Sequence, residues 1–191
     1  MDNTKEIKKY ISSVKTLLDK LDVNQINAIL IELLEAHARH GHIYVFGNGG
    51  SASTASHMVN DFNKGISEHI DVKFRFSCLN DNTSTVLAVA NDIGYEDIFV
   101  FQLNGRLEPN DLVIGISGSG NSSNIIKALK YAKSQNVRTV ALTGYDGGVI
   151  AGICDVSFVV PVSNMQLVED VHMILDHLLM TVICKVWSIQ L

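Results

Sequence analysis

Twice in this chain an apolar run that reads as a buried strand breaks into a loop of small polar residues and then enters a run with helical character. The first loop is Phe46-Gly47-Asn48-Gly49-Gly50-Ser51-Ala52-Ser53; the second is Ser117-Gly118-Ser119-Gly120-Asn121-Ser122-Ser123. Small residues let backbone N–H groups converge, hydroxyls add donors, and the following helix contributes the partial positive charge of its N-terminus. Such a loop binds an anion without any Lys or Arg. Phosphate is the anion it suits best, and two such loops at the carboxyl ends of parallel strands point to one small phosphorylated molecule held at both ends.

The rest of the pattern agrees with a parallel sheet. Ile43 to Phe46, Phe74 to Leu79, Leu112 to Ile116, Thr139 to Leu142 and Val156 to Val160 are short runs, several of them apolar on both faces, as strands covered by helices on each side must be. Helices are predicted at about 52–62, 83–90, 96–107, 123–135 and 147–153, with a long final helix from about Met165 to Trp187. Ahead of the first strand, Ile7, Ile11, Val14, Leu18 and Leu21 recur at helical spacing. Ile26, Ile29, Leu30, Leu33 and Leu34 form a second stripe, opened by Asp22 and Gln25 as a capping pair and ended by Gly41. Residues 1–41 are therefore expected to serve packing and oligomer assembly, and 42–191 to form the α/β core of one domain. The predicted class is a doubly wound, flavodoxin-like, five-stranded parallel sheet.

Composition narrows the partners. A chain of 191 residues with 47% hydrophobic and 18% charged residues can bury a full core, and a net charge of −5 lacks the basic footprint of a nucleic-acid binder. Cys78, Cys154 and Cys184 are odd in number and widely spaced, which speaks against a disulfide scaffold or a Cys-based zinc ribbon and for core packing in a reducing compartment. With no apolar run of spanning length and no leader-type segment at Met1 to Glu6, a cytoplasmic protein is expected.

Two blander readings compete with a phosphate cleft. Gly47-Asn48-Gly49-Gly50-Ser51-Ala52 also satisfies a Gly-x-Gly-x-x-Ala dinucleotide fingerprint, with Asp81 as the ribose carboxylate, and both loops could be tight turns without a ligand. Neither explains why the second loop carries so many hydroxyls, and neither loop has the Gly-Lys-Ser/Thr of a triphosphate cradle.

Taken together, Gly47-Asn48-Gly49-Gly50-Ser51, His57, Asn91-Asp92 followed by Gly94-Tyr95, Ser117 to Ser122, Thr143-Gly144-Tyr145-Asp146-Gly147-Gly148 and Val171-His172 with His177 resemble the sugar isomerase (SIS) domain. Within it the likeness is to the phosphoheptose isomerase family, over nearly the whole chain and in the right order. That resemblance implies interconversion of sedoheptulose 7-phosphate and a heptose 7-phosphate through an enediol, for lipopolysaccharide or capsule synthesis. It also implies a homotetramer with active sites between subunits and one zinc ion per site, with no nucleic acid or membrane partner. By position, Asn48, Gly49, Gly50, Ser51, Asn91 and Asp92 resemble sugar-binding groups, and Ser117, Gly118, Ser119 and Ser122 the phosphate cradle. His57, Asp61, Glu169 and His177 fall on the metal positions, and Asp61, Glu169 and His177 on the catalytic ones, with Glu169 also among the substrate contacts.

Four positions depart from the family pattern. Asp61 stands where Glu is usual, Glu169 where Gln is, Gly118 for Thr and Leu167 for Arg. Shortening a carboxylate by one methylene withdraws it by about an ångström, a misplacement that can cost on the order of a hundredfold in rate. Glu169, able to accept a proton where an amide cannot, offers a rebuilt base. A non-catalytic binding protein on the same fold, either a phosphosugar sensor or a partner of the replication initiator, is the alternative.

The residues themselves support a metal site. His57 and Asp61, four apart on a predicted helix, share a face; Glu169 and His177, eight apart on the last helix, lie about 80° from one another around it. Two imidazoles and two carboxylates suit a divalent transition ion, zinc above magnesium. His37, His40 and His42 are expected to be solvated groups near a helix end, His172 structural, and the Asp146-Gly147-Gly148 turn a backbone requirement. Trp187 is expected in packing or an interface.

Overall fold

The computed structural model describes residues 2–190, and in it all five strands run parallel in the order β2-β1-β3-β4-β5. The strands are β1 (Ile43–Gly47), β2 (Phe76–Cys78), β3 (Leu112–Ser117), β4 (Arg138–Gly144) and β5 (Val156–Val160). Their order reverses between β1 and β3, which are hydrogen-bonded neighbours in the register Ile43↔Leu112 through Gly47↔Ile116. The two glycine-serine loops leave the ends of these two strands. A doubly wound sheet opens its ligand crevice at that switch point.

The helices are α1 (Thr4–Leu18), α2 (Val23–Ala38), α3 (Gly50–Asn60), α4 (Thr83–Asp92), α5 (Val100–Leu103), α6 (Ser123–Ser134), α7 (Gly148–Ile153) and α8 (Met165–Val186). Strand alternation divides the core into two. Ile43 and Val45 of β1, with Leu112, Ile114 and Ile116 of β3, pack under α2, α3 and α8; Tyr44, Phe46 and Val113 pack under α4, α5, α6 and α7. Every residue of β1 and β3 is buried, as their unbroken apolar sequence requires.

Several boundaries differ from expectation, each for a local reason. The second strand is three residues long, because Asn63 hydrogen-bonds both the N–H and the C=O of Phe76 and Phe74 N–H donates to Ser67 Oγ. The helix predicted at 96–107 is broken into a 3₁₀ turn (Tyr95–Asp97) and α5, and the chain turns away at extended Asn104 and at Gly105, whose φ is +72°. Beyond α3 the helix widens into a π segment, Asp61–Ile66. Such segments interrupt helices mostly at functional sites. At α2 the Asp22 carboxylate accepts from Asn24 N–H as a cap should, but Gln25 accepts from Val159 N–H and pins α2 to β5 instead of completing the box.

Candidate functional site

The two loops face each other across a cleft of about 260 Å³ lined by Asn48, Gly49, Gly50, Ser51, Ser117, Gly118, Ser119, Ser122, Met165 and Glu169. Gly49 holds φ +55° and ψ −123°, a conformation for glycine, which lets α3 begin at once and present its N-terminus to the cleft. Ser117 and Ser122 hydroxyls lie 3.1 Å apart, and α6 starts directly behind them. No Lys or Arg lines the cleft, so amides, hydroxyls and two helix termini are its anion-binding groups. Gly118, where the family pattern has Thr, cedes its side-chain space to Met165.

Asn48 makes a contribution other than the one its position implied. Its side-chain amide exchanges two hydrogen bonds with buried Asn124, both 2.9 Å, and Tyr95 Oη donates to its carbonyl at 3.0 Å. The amide is thus engaged in clamping the first loop to the start of α6, and its main chain and adjacent amides are what remain for a ligand. Asn124 escaped the sequence reading. Its signal was an amide placed in the first turn of the helix behind a serine loop.

Glu169 comes from the second turn of α8 and lays its carboxylate over Gly50, where a Cβ would stand 2.5–2.6 Å from both oxygens. Glycine at position 50 is therefore what admits Glu169 to the cleft. Asn91 and Asp92 do not join it. They are exposed at the end of α4, where Asn91 Nδ2 donates to Asp92 Oδ1 at 2.7 Å, and Asp92 borders a separate hollow with Ile93 and Phe101.

At the far end of α3, a second group gathers between α3 and α8. His57 Nε2 is 3.0 Å from His177 Nε2; Asp61 Oδ2 lies 3.5 Å from the first and 3.9 Å from the second. The fourth member is Asp176, and one ligand atom from each of the four falls within 4.8 Å of all the others. Glu169, expected here, is not part of this group. It stands eight residues, about 12 Å of helix rise, before His177. Asp176 is buried and neither of its oxygens has a hydrogen-bond partner, while burial, and then the neighbouring Asp61 charge, push its pKa up to about 8. Two imidazoles and two carboxylates, one of them buried and orphaned, are a donor set that fits a divalent cation. The signal for Asp176 was available: it lies four residues after His172 and three before Leu179, on a face of α8 otherwise destined for the core.

The remaining histidines are structural in different ways. His37 Nε2 donates to Val72 O at 2.8 Å and its ring packs against Phe74 and Trp187, so it is not a solvated cap. His42 is half-buried, hydrogen-bonded to Ser77 Oγ and stacked on Tyr44, and burial lowers its pKa. His40 does sit past the helix end, at φ +57°. His172 is buried and donates from Nε2 to Thr143 O at 3.2 Å; burial brings its pKa down to about 4. Gly147 and Gly148 take φ of +92° and +55°, as the turn demanded.

A doubly wound sheet with paired anion loops at its switch point, and a histidine-carboxylate cluster beside them, defines an α/β domain for small phosphate esters. Residues 9–144 match the SIS domain. The chain is 37% identical to the phosphoheptose isomerase of Helicobacter pylori (strain Shi470), over 79% of this chain and 77% of that one. To the probable phosphoheptose isomerase of Thermoplasma volcanium it is 32% identical, over 93% of this chain and 90% of that one. The solved phosphoheptose isomerase of Neisseria gonorrhoeae superposes with a TM-score of 0.88 at 27% identity, covering 96% of this chain and all of that one. The chain belongs to the phosphoheptose isomerase group of the SIS-domain family.

Proposed function

We propose that the protein is a phosphosugar aldose–ketose isomerase interconverting sedoheptulose 7-phosphate and a heptose 7-phosphate through an enediol. The observation that carries this reading is the placement of one carboxylate, Glu169, inside a cleft whose walls are two anion-binding loops. The Ser117 to Ser122 loop, with its hydroxyls and the α6 N-terminus, takes the phosphate; the first loop and Ser51 face the carbonyl end.

Glu169 removes a proton from C1 of the ketose, the electron pair becomes the C1=C2 bond, and O2 takes up a proton. Return of a proton to C2 with loss of the O1 proton gives the aldose, so nothing is oxidised overall and no redox partner is needed. Asp61 and His177 would act on the oxygen end of the sugar by holding zinc together with His57, and zinc there would supply a positive charge that stabilises the enediolate oxygens.

Neighbouring subunits of a homotetramer complete the cleft in this reading, with Asn91 and Asp92 the exposed polar pair placed to reach a neighbour's sugar and residues 1–41 serving assembly. Surface-polysaccharide heptose synthesis in the cytoplasm is the setting; among the described residues no helix is long and apolar enough to cross a membrane.

Purified protein supplied with zinc and sedoheptulose 7-phosphate should form the aldose, and a doubly substituted Asp61→Ala, Glu169→Ala protein should bind the sugar phosphate without converting it. Turnover unchanged in that variant would overturn the assignment. Binding without conversion by the unaltered protein would make it a sensor.

A further inference from the structure

We propose that Asp176 is the fourth protein ligand of the divalent-cation centre in this chain, in place of Glu169, which is thereby left as a free carboxylate in the sugar-phosphate cleft. The inference deepens the isomerase reading and takes from it only that the His57 cluster holds a cation.

Three independent observations converge on it. Asp176 is 1% exposed, and among the described residues it is the one carboxylate whose buried oxygens have no partner. A carboxylate taken out of water without a hydrogen bond or counter-charge is strongly destabilising, so buried charges are paired or coordinate metals. Among the described residues, the His, Cys, Asp and Glu side chains that meet it at ligand range are His57, Asp61 and His177, which carry no permanent positive charge; a divalent cation would satisfy both carboxylates there. Glu169, meanwhile, is engaged elsewhere, over Gly50 in the cleft.

The local helix explains how Asp176 comes to serve. Consecutive residues on a helix differ by about 100°, so His177 and Asp176 approach a point between α3 and α8 from two sides, His177 from the solvent edge and Asp176 from the core. The π segment that begins at Asp61 lies on the opposite wall. Asp61 is a methylene shorter than the family's Glu and is 8% exposed, so a cation held by it would be within reach of the buried Asp176 carboxylate. The two departures, a shorter carboxylate at 61 and an acid at 169, then have one explanation: the centre has taken on a new ligand and released the old ligand position for proton transfer.

Zinc affinity, measured on the full chain by competition with a chelating dye, separates the ligands. Asp176→Asn should weaken zinc binding by at least about tenfold, and Glu169→Gln should leave it within about threefold. With Co²⁺ substituted for zinc, the visible absorption of Asp176→Asn should shift while that of Glu169→Gln matches the unaltered protein. Asp176→Glu, which keeps the charge, guards against a merely structural effect and should retain more affinity than the Asn variant. Weakening by Glu169→Gln and not by Asp176→Asn overturns the inference, as does absence of zinc binding by the unaltered protein. A protein that holds zinc through Asp176 yet leaves sedoheptulose 7-phosphate unchanged keeps this inference and overturns the isomerase reading.

Discussion

His172 and Asp176, one turn apart on α8, show how much a single buried titratable group says when its partners are counted. The His172 ring is neutral: Nε2 donates to Thr143 O, and Nδ1 is buried without a partner. Its folded pKa of about 4 lies below the ordinary value of 6.5, so in acid the unfolded chain takes up a proton that the folded chain refuses. Stability is therefore fully present above about pH 6.5 and is lost as pH falls toward 4. In urea unfolding of the metal-free protein, the stability difference between the unaltered chain and His172→Gln should shrink by about 2 kcal/mol between pH 7 and pH 4.5. A difference that does not change with pH would mean His172 ionises freely in the fold. The sequence placed His172 on a face of α8 apart from His177, which is all that helical spacing can say. Burial depth, the property that makes it a pH-sensitive element, depends on how α8 packs against β4.

At the scale of elements, strands and long helices were legible because their apolar periods are strong, and the β1 and β3 loops because glycine and hydroxyl residues mark them. What helical spacing could not reveal is which amide faces which. Asn48 and Asn124 lie far apart in the chain, yet their reciprocal hydrogen bonds couple the end of β1 to the start of α6, and so hold the two anion loops at a fixed separation. Similarly, Glu169 and His177 share a helix, but its length sends one to the cleft and the other to the cluster. Replacing Asn124 by Ala leaves the half-buried Asn48 amide half-paired, which should cost about 1 kcal/mol of stability in urea unfolding. It should also raise KM for the sugar phosphate more than it lowers kcat, because the loops would lose their spacing while Glu169 keeps its place over Gly50. Equal loss in both parameters would show that Asn48 acts on the reacting atoms directly.

For the whole molecule, the two N-terminal helices pose the sharpest question. Helix α1 has the spacing of an amphipathic helix, yet Leu17 alone of its residues is buried, while Ile7 is 58% and Ile11 49% exposed and Tyr10 meets the chain through a hydrogen bond to Asp170. A second exposed apolar group, Leu87, Ile93, Tyr95 and Phe101, surrounds Asn91 and Asp92 on the other side of the sheet. Val14 and Leu18 pack against the core, so the N-terminal half of the stripe is what lies in water, and a helix with that half uncovered is short of a partner there. The sequence identified the stripe, since the period is intrinsic to the residues, but could not say that the chain's own core would cover only its C-terminal half. If assembly into a homotetramer covers these surfaces, the substitution pair Ile7→Lys, Ile11→Lys should shift the protein to smaller species in sedimentation velocity while the circular dichroism of the fold is kept. Turnover per chain should fall with it, because Asn91 and Asp92 reach no cleft within their own subunit. An unaltered protein that sediments as a monomer with full activity would return both apolar surfaces to solvent and leave the sugar contacts entirely to the loops of one chain.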